Sequence, residues 1–356
     1  MVRGVGFLAY LERGLVRRWQ RTRGQLRRIS NHAVDPRTID RYRLMSADNA
    51  SADERYRAGA FWQEINADFR DLIWAGALQD LRNQYFNHRF SGPPPESYQI
   101  YGHFIWLYYQ RLLSIDQFGF LKMVADPEEG GTRNQISIDG RPVSLDFLQS
   151  VEESYAILEA WNLSGRSGFP RLFVELGAGY GRLAYVVRKM FKDSTYVILD
   201  LPEALLCSTS WLERVLPGEV RSYESSRKVG QYSRDELMKE RVWTLGAHQV
   251  ESLGDQVADV FINIFSFAEM PRLSIENYFA HVDRICSGVF YSKQRKAEMN
   301  VVDKVTISEQ TYPVRDHWKG CFYRTTSLEP NFFETAYVTR PSTAAYVEAG
   351  ESQSST

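Results

Sequence analysis

The chain has 356 residues, enough for about two domains, and 44% of them are hydrophobic, enough to bury a sizeable core. A formal net charge of −1 excludes a globally basic nucleic-acid binder and a strongly acidic solvating protein. The 24 glycines and 13 prolines show no period, which excludes collagen-like and low-complexity classes.

The near-neutral total conceals an asymmetry. Residues 1–30 hold eight arginines against one acid, Glu12. Leu8, Leu11, Leu15, Trp19, Leu26 and Ile29 share one face at helical spacing. Residues 1–34 therefore read as a basic amphipathic helix. Glu12 and Arg13 interrupt the apolar core that a signal peptide needs, and no run of about 18 apolar residues suits a transmembrane helix. Three roles stay open for it: docking on the body, peripheral contact with the inner face of an anionic membrane, or an organelle transit segment.

Residues 35–165 read as a mainly helical N-terminal region. Phe61, Ile65, Phe69, Ile73 and Leu81 give residues 58–82 a helical stripe. Ser91-Gly92-Pro93-Pro94-Pro95 breaks any helix. An aromatic stretch follows at 98–109, then a loop or hairpin at 126–141. Leu145, Leu148, Val151, Tyr155, Leu158 and Trp161 predict a helix over 144–161.

From residue 169 short apolar runs (172–175, 196–200, 242–245, 260–265 and 289–292) alternate with amphipathic stretches. That alternation predicts an α/β fold with a mainly parallel sheet covered on both faces, spanning 166–341. Residues 342–356 read as a frayed tail. Cys207, Cys286 and Cys321 are too far apart for a disulfide framework or a zinc knuckle and fit a reducing compartment, the cytoplasm.

Residues 173–183, FVELGAGYGRL, carry the chemistry. A strand runs into Gly177, Gly179 and Gly181 and then into a helix, so backbone N–H groups and the helix N-terminus face a ligand that approaches without Cβ hindrance. The spacing Gly-x-Gly-x-Gly is not the dinucleotide fingerprint, and no Lys-Ser/Thr of a phosphate loop follows. Glu175 would be awkward beside a pyrophosphate and suits a ligand with ammonium and sulfonium charges. Asp200 closes the next strand about twenty residues on, where an acid accepts both hydroxyls of a ribose. Asp200-Leu201-Pro202-Glu203 also resembles a helix capping box, and the two roles can coexist.

These stretches, with residues 262–271 (INIFSFAEMP), residues 143–148 (VSLDFL) and the spacing to Tyr278, resemble class I S-adenosylmethionine (SAM) methyltransferases, and more narrowly the putative sugar O-methyltransferase family. The resemblance covers residues 135–295. It implies a Rossmann-like sheet with SAM as cofactor and a sugar or glycan acceptor. Glu175, Gly177, Gly179 and Gly181 would shape the methionine side, Asp200 would hold the ribose, and His248 and Gln249 would face the adenine. Asn263 and Phe265 would lie near the sulfonium methyl.

A sugar hydroxyl needs a base or a metal before it attacks. Glu269, at the mouth of the cleft, and His317, beyond the fifth strand, are the leading base candidates, followed by His103 in the aromatic stretch. Ser266-x-x-Glu269 also matches a capping box. No compact His/Asp/Glu spacing marks a divalent metal site. Methyl transfer to a polyketide or phenolic hydroxyl is the runner-up. An NAD-binding oxidoreductase and a non-catalytic scaffold are the competing classes.

Overall fold

The computed structural model describes residues 34–74, 76, 78, 81–82, 98–130, 135–227, 230–300, 305–326 and 330–340. The expected basic helix at 1–30, the proline run at 91–95 and the tail at 342–356 lie outside these residues. Among the described residues three long helices come first, α1 (Pro36–Ser51), α2 (Ala60–Trp74) and α3 (Tyr98–Leu113), with a single helical turn at Phe120–Met123 after them. A hairpin follows, β1 (Gln135–Ile138) with β2 (Arg141–Ser144). Its turn residues Asp139 and Gly140 have φ of 51° and 77°, the left-handed pair that a tight two-residue hairpin demands. Ser144 then caps α4 (Leu145–Leu163), accepting from the Phe147 amide. The sequence predicts one apolar face for this helix. The structure buries it almost all round, because it lies between the sheet and the N-terminal helices.

Next come β3 (Leu172–Leu176), α5 (Arg182–Met190), β4 (Thr195–Asp200), α6 (Pro202–Val215), β5 (Val220–Arg221), β6 (Val242–Gly246), β7 (Ala258–Ile264), α7 (Arg272–Ile285) and β8 (Cys286–Arg295). A small hairpin, β9 (Ala297–Asn300) with β10 (Val305–Ser308), precedes β11 (Lys319–Thr325) and β12 (Phe332–Val338). The main sheet runs β11-β12-β8-β7-β3-β4-β6-β5. The six strands from β8 to β5 are parallel, and β12 pairs antiparallel with both β8 and β11. This is the Rossmann-like α/β arrangement, mostly parallel and covered by helices, that the sequence predicts. The five predicted strands are all present. Every residue of β3, β4 and β6 is buried, as parallel strands covered on both faces require. Phe173 enters the core on the α4–α6 side while Leu172, Val174 and Leu176 enter the one on the α7 side.

The strand order reverses between β3 and β7. Open α/β sheets bind ligands at such a switch point, beyond the carboxyl ends of the strands. Both the glycine loop and the turn after β7 lie there.

The helical region is tied down by buried charge. Arg82 donates to Asp126 (2.9 Å), Asp146 (3.3 Å) and Ser144 Oγ (3.1 Å), and Tyr180 of the glycine loop donates its hydroxyl to the same Asp146. Burial pushes the Asp126 carboxyl up. Asp146 is equally buried, yet Arg82, Ser144 and Tyr180 hold its carboxyl below the usual range. Tyr42 of α1 donates to Glu203 of α6 (2.9 Å), and Tyr56 donates to Glu251 (2.6 Å) and meets His281 on α7 (2.8 Å). Among the described residues no helix is long and apolar enough to cross a membrane.

Arg82→Ala leaves Asp126 and Asp146 buried without their cation. We expect a loss of about 3–5 kcal/mol, the usual cost of breaking a buried pair, read as a lower urea midpoint at pH 7. An unchanged midpoint would show that the cluster does not hold the helical region to the sheet.

Candidate active site

A cavity of about 1590 Å³, its open mouth included, lies at the switch point. The glycine loop forms its floor, and its three glycines do different work. Gly177 has φ 79°, and a Cβ there would fall 2.4 Å from Ser266 Oγ, so the tip of β3 packs directly on the turn after β7. Gly181 has φ 88°, and its Cβ would meet Leu212 Cδ1 of α6 at 2.8 Å. Gly179, at φ 60°, would meet nothing within 4 Å. It lines the cavity with its α-carbon bare, the close approach that a ligand uses.

Glu175 and Asp200 line the same cavity and are almost wholly buried. Glu175 accepts from Tyr196 Oη at 2.7 Å, and burial pushes its carboxyl up to about 7 against that bond. Asp200 accepts from the Leu201 amide at 2.8 Å and the Gly179 amide at 3.0 Å. Burial carries it too to about 7, against the amides of Leu201, Gly179 and Ala178. Each Asp200 oxygen keeps a lone pair for a further donor. The capping-box reading of Asp200 does not hold, because Leu201 is the N-cap of α6 and no side chain caps it.

The turn after β7 supplies the opposite wall. Phe265 is held at φ 61°, a left-handed conformation that bulky residues avoid. Its ring meets Phe332 edge-on at 4.7 Å, and Lys293 Nζ lies 5.3 Å from its centre. Phe265 and half-buried Glu269 both line the cavity. The Ser266 hydroxyl points to the Leu176 carbonyl (3.3 Å) and caps nothing, so the Ser266–Glu269 capping box does not form. Below the floor, Arg182 forms a bidentate pair with Glu153 (2.6 and 3.0 Å), which also accepts from Lys293 (3.1 Å), all deeply buried.

Four expectations need correction. Asn263 is fully buried and does not line the cavity. Its amide donates to Leu176 O (2.9 Å) and Ser266 Oγ (2.6 Å) and accepts from Gln294 (2.6 Å), so it braces two strand tips. Gln249 is spent on the Gly246 amide (2.8 Å) and the Ser226 carbonyl (2.9 Å), and Ala247 lines the cavity in place of His248 and Gln249. Burial lowers the His248 pKa. His317 meets Asp283 and Arg340 at 2.8 Å each. Asp283 sits in the last turn of α7 and Arg340 just after β12, which is the amino-terminal edge of the parallel strands, opposite the cavity. His103 is exposed on α3, away from the cavity. Among the described residues, no group of three His, Cys, Asp or Glu side chains is placed to hold a metal ion.

The structure also adds residues that the sequence reading missed. Arg55, Arg57 and Trp62 come from the helical region, Arg295 and Phe332 from the paired ends of β8 and β12, and Tyr278 from α7. Only Tyr278 had a signal, through its spacing from the turn after β7.

Both cavity carboxyls titrate near 7 in the folded chain and near 4 unfolded. Folded values above the unfolded ones mean that the native state holds extra protons between those limits. The ligand-free protein should therefore lose stability as pH rises from about 4 to about 7, by up to roughly 1.4 kcal/mol per pH unit for each group, and level off above. Urea unfolding at pH 5, 6, 7 and 8 measures this slope. Glu175→Gln and Asp200→Asn should each flatten it, and a slope that neither changes would contradict the assignment.

No protein-family model and no curated protein sequence matches this chain. Solved structures match over about half of it. A SAM-dependent methyltransferase from Aquifex aeolicus is 13% identical over 55% of this chain and 99% of its own, with a TM-score of 0.33. A magnesium protoporphyrin IX methyltransferase from Synechocystis with bound S-adenosylhomocysteine (SAH) is 12% identical over 54% and 84%, with a TM-score of 0.36. Geranyl diphosphate C-methyltransferase from Streptomyces coelicolor is 12% identical over 54% and 80%, with a TM-score of 0.36.

Proposed function

We propose that the chain is a SAM-dependent O-methyltransferase acting on a sugar or glycosylated acceptor. The observation that carries the reading is the bare α-carbon of Gly179, open to the cavity beside two buried carboxylates, Glu175 and Asp200. A phosphate ligand would be repelled by that pair. A ribose would satisfy the remaining Asp200 lone pairs, and a cationic amino-acid moiety would suit Glu175.

When bound, SAM supplies a methyl group activated by its sulfonium. The chain's own task is alignment and proton removal. The bare face of Gly179 and the Asp200 carboxylate would hold the cofactor at the cavity floor, and the Phe265 turn lines the other wall. Glu269, half-buried at the mouth, takes the proton from the acceptor hydroxyl as the oxygen attacks. The aromatic rings of Trp62 and Phe332 offer faces on which a sugar stacks. The same rings, with Phe265 and Met270, favour as second reading an aromatic acceptor such as a phenolic or polyketide hydroxyl. Radiolabelled methyl transfer from SAM to panels of nucleotide sugars, oligosaccharides and phenols separates the two.

Calorimetry should show SAH binding without NAD binding, and the reverse would sink the reading. Asp200→Ala should weaken SAH binding by about 1.5–3 kcal/mol, the worth of hydrogen bonds to a charged group. Unchanged affinity removes Asp200 from the site. Once an acceptor is known, Glu269→Gln should bind both substrates yet slow single-turnover transfer about 10²–10⁴-fold, and a wild-type rate excludes Glu269 as the base.

A further inference from the structure

A second pocket adjoins the main cavity. It lies between α1, α2 and the first turn of α6. Its volume is about 920 Å³, open mouth included, within the roughly 300–1,000 Å³ of small-molecule sites. The two share Arg57 and Ala58 as wall. Pro202 and Glu203 line the second pocket, while Leu201 and Ala204 on either side of them line the first.

The walls of this pocket hold polar side chains that the fold leaves partly unused. Asn66 of α2 is 5% exposed, yet among the described residues its Oδ1 has no hydrogen-bond partner. Asn49 Oδ1 of α1 is buried and unpartnered in the same way. Glu203 is almost wholly buried, and its two donors, Tyr42 Oη (2.9 Å) and Arg70 Nη1 (3.3 Å), both reach Oε1, which leaves Oε2 for another. Arg57, Arg70 and Gln63 add donors along the same walls.

Buried polar groups are rarely left unpaired, because each unmade hydrogen bond costs its desolvation. Three such groups around one pocket call for a ligand that presents several donors at once. An apolar or phenolic ring would leave the asparagines unpaired. An anion would meet the Glu203 carboxylate and bring acceptors to walls that already accept. A neutral ring with several hydroxyls satisfies all three and accepts from the arginines in return.

Building on the methyltransferase reading, we propose that this pocket is a second carbohydrate subsite. It holds a sugar unit linked to the one methylated in the main cavity, and Asn49, Asn66 and Glu203 accept from its hydroxyls. The acceptor is then a disaccharide or longer glycan that passes over the shared edge at Arg57 and Ala58.

The test is calorimetric titration of the full chain, with and without saturating SAH. The probes are methyl glucoside, methyl galactoside, methyl mannoside and the methyl glycosides of cellobiose, lactose and mannobiose. At least one disaccharide should bind tenfold or more tightly than the monosaccharides. Asn66→Leu should remove that advantage with SAH affinity unchanged. Its urea midpoint should not fall, since the lost amide makes no hydrogen bond in the folded chain. Asn49→Ala, in the half-buried last turns of α1, should remove the advantage independently, so a folding defect in one variant leaves the other to decide. Absence of disaccharide binding, equal binding of both sugar sizes, or an advantage that persists in both variants overturns the proposal. So does displacement of SAH by the disaccharide, which puts the sugar on the cavity floor. Failure of the wild-type chain to bind SAH is a distinct result. It overturns the methyltransferase reading, and the titrations without SAH still decide whether the pocket takes sugar.

Discussion

The architecture of the cavity depends on one contact with no room to spare. The tip of β3 and the turn after β7 meet where Gly177 faces Ser266, and a single added carbon would fall 2.4 Å from the serine hydroxyl. Asn263 and Ser266 both donate to the Leu176 carbonyl, so the same contact satisfies the last acceptor of β3 and orients the turn. Phe265 accepts a left-handed backbone there, a strain that persists only where surrounding packing over-determines it. The floor of the cavity and the wall that carries Glu269 are thereby packed and hydrogen-bonded into one unit. Preorganisation of this kind lets a site spend binding energy on alignment.

Around that contact the chain buries several paired charges. Glu153 holds Arg182 and Lys293 below the glycine loop, and Asp146 holds Arg82 and Tyr180 beside it. Buried pairs are weak contributors to net stability because desolvation offsets their attraction, but removal of one partner is costly. Their effect is positional. Tyr180 belongs to the glycine loop and Arg82 to the helical region, so Asp146 links the two halves of the site through a single carboxylate. Glu175 and Asp200 differ in kind. They have hydrogen-bond donors but, among the described residues, no paired cation, and burial leaves them near 7. The structural pairs are closed, while these two line the cavity.

The helical region contributes chemistry as well as cover. Residues 55–62 supply Arg55, Arg57 and Trp62 to the cavity, and the Tyr56 hydroxyl anchors that segment to Glu251 and His281. The sheet thus provides the floor of the cavity, and a segment nearly 120 residues earlier in the chain than the glycine loop provides part of its wall.

Local pattern was enough to determine much of this protein. Continuous apolar runs marked the parallel strands, Asp139-Gly140 gave the hairpin its turn, and three alternate glycines after a strand marked the ligand floor. Each of these depends on backbone conformation or side-chain alternation within a few residues, so the signal is written where the structure forms. Tertiary structure alone decided the fate of the polar side chains. Asn263, Gln249 and His317 had the right residue types beside the right motifs, yet Asn263 braces strand tips, Gln249 closes a turn and His317 lies at the far edge of the sheet. Arg57 and Arg295 carried no motif and came to one cavity mouth from positions 57 and 295. A polar group goes to whichever partner satisfies it once water is excluded, and that partner is chosen by long-range packing, which spacing along the chain does not record.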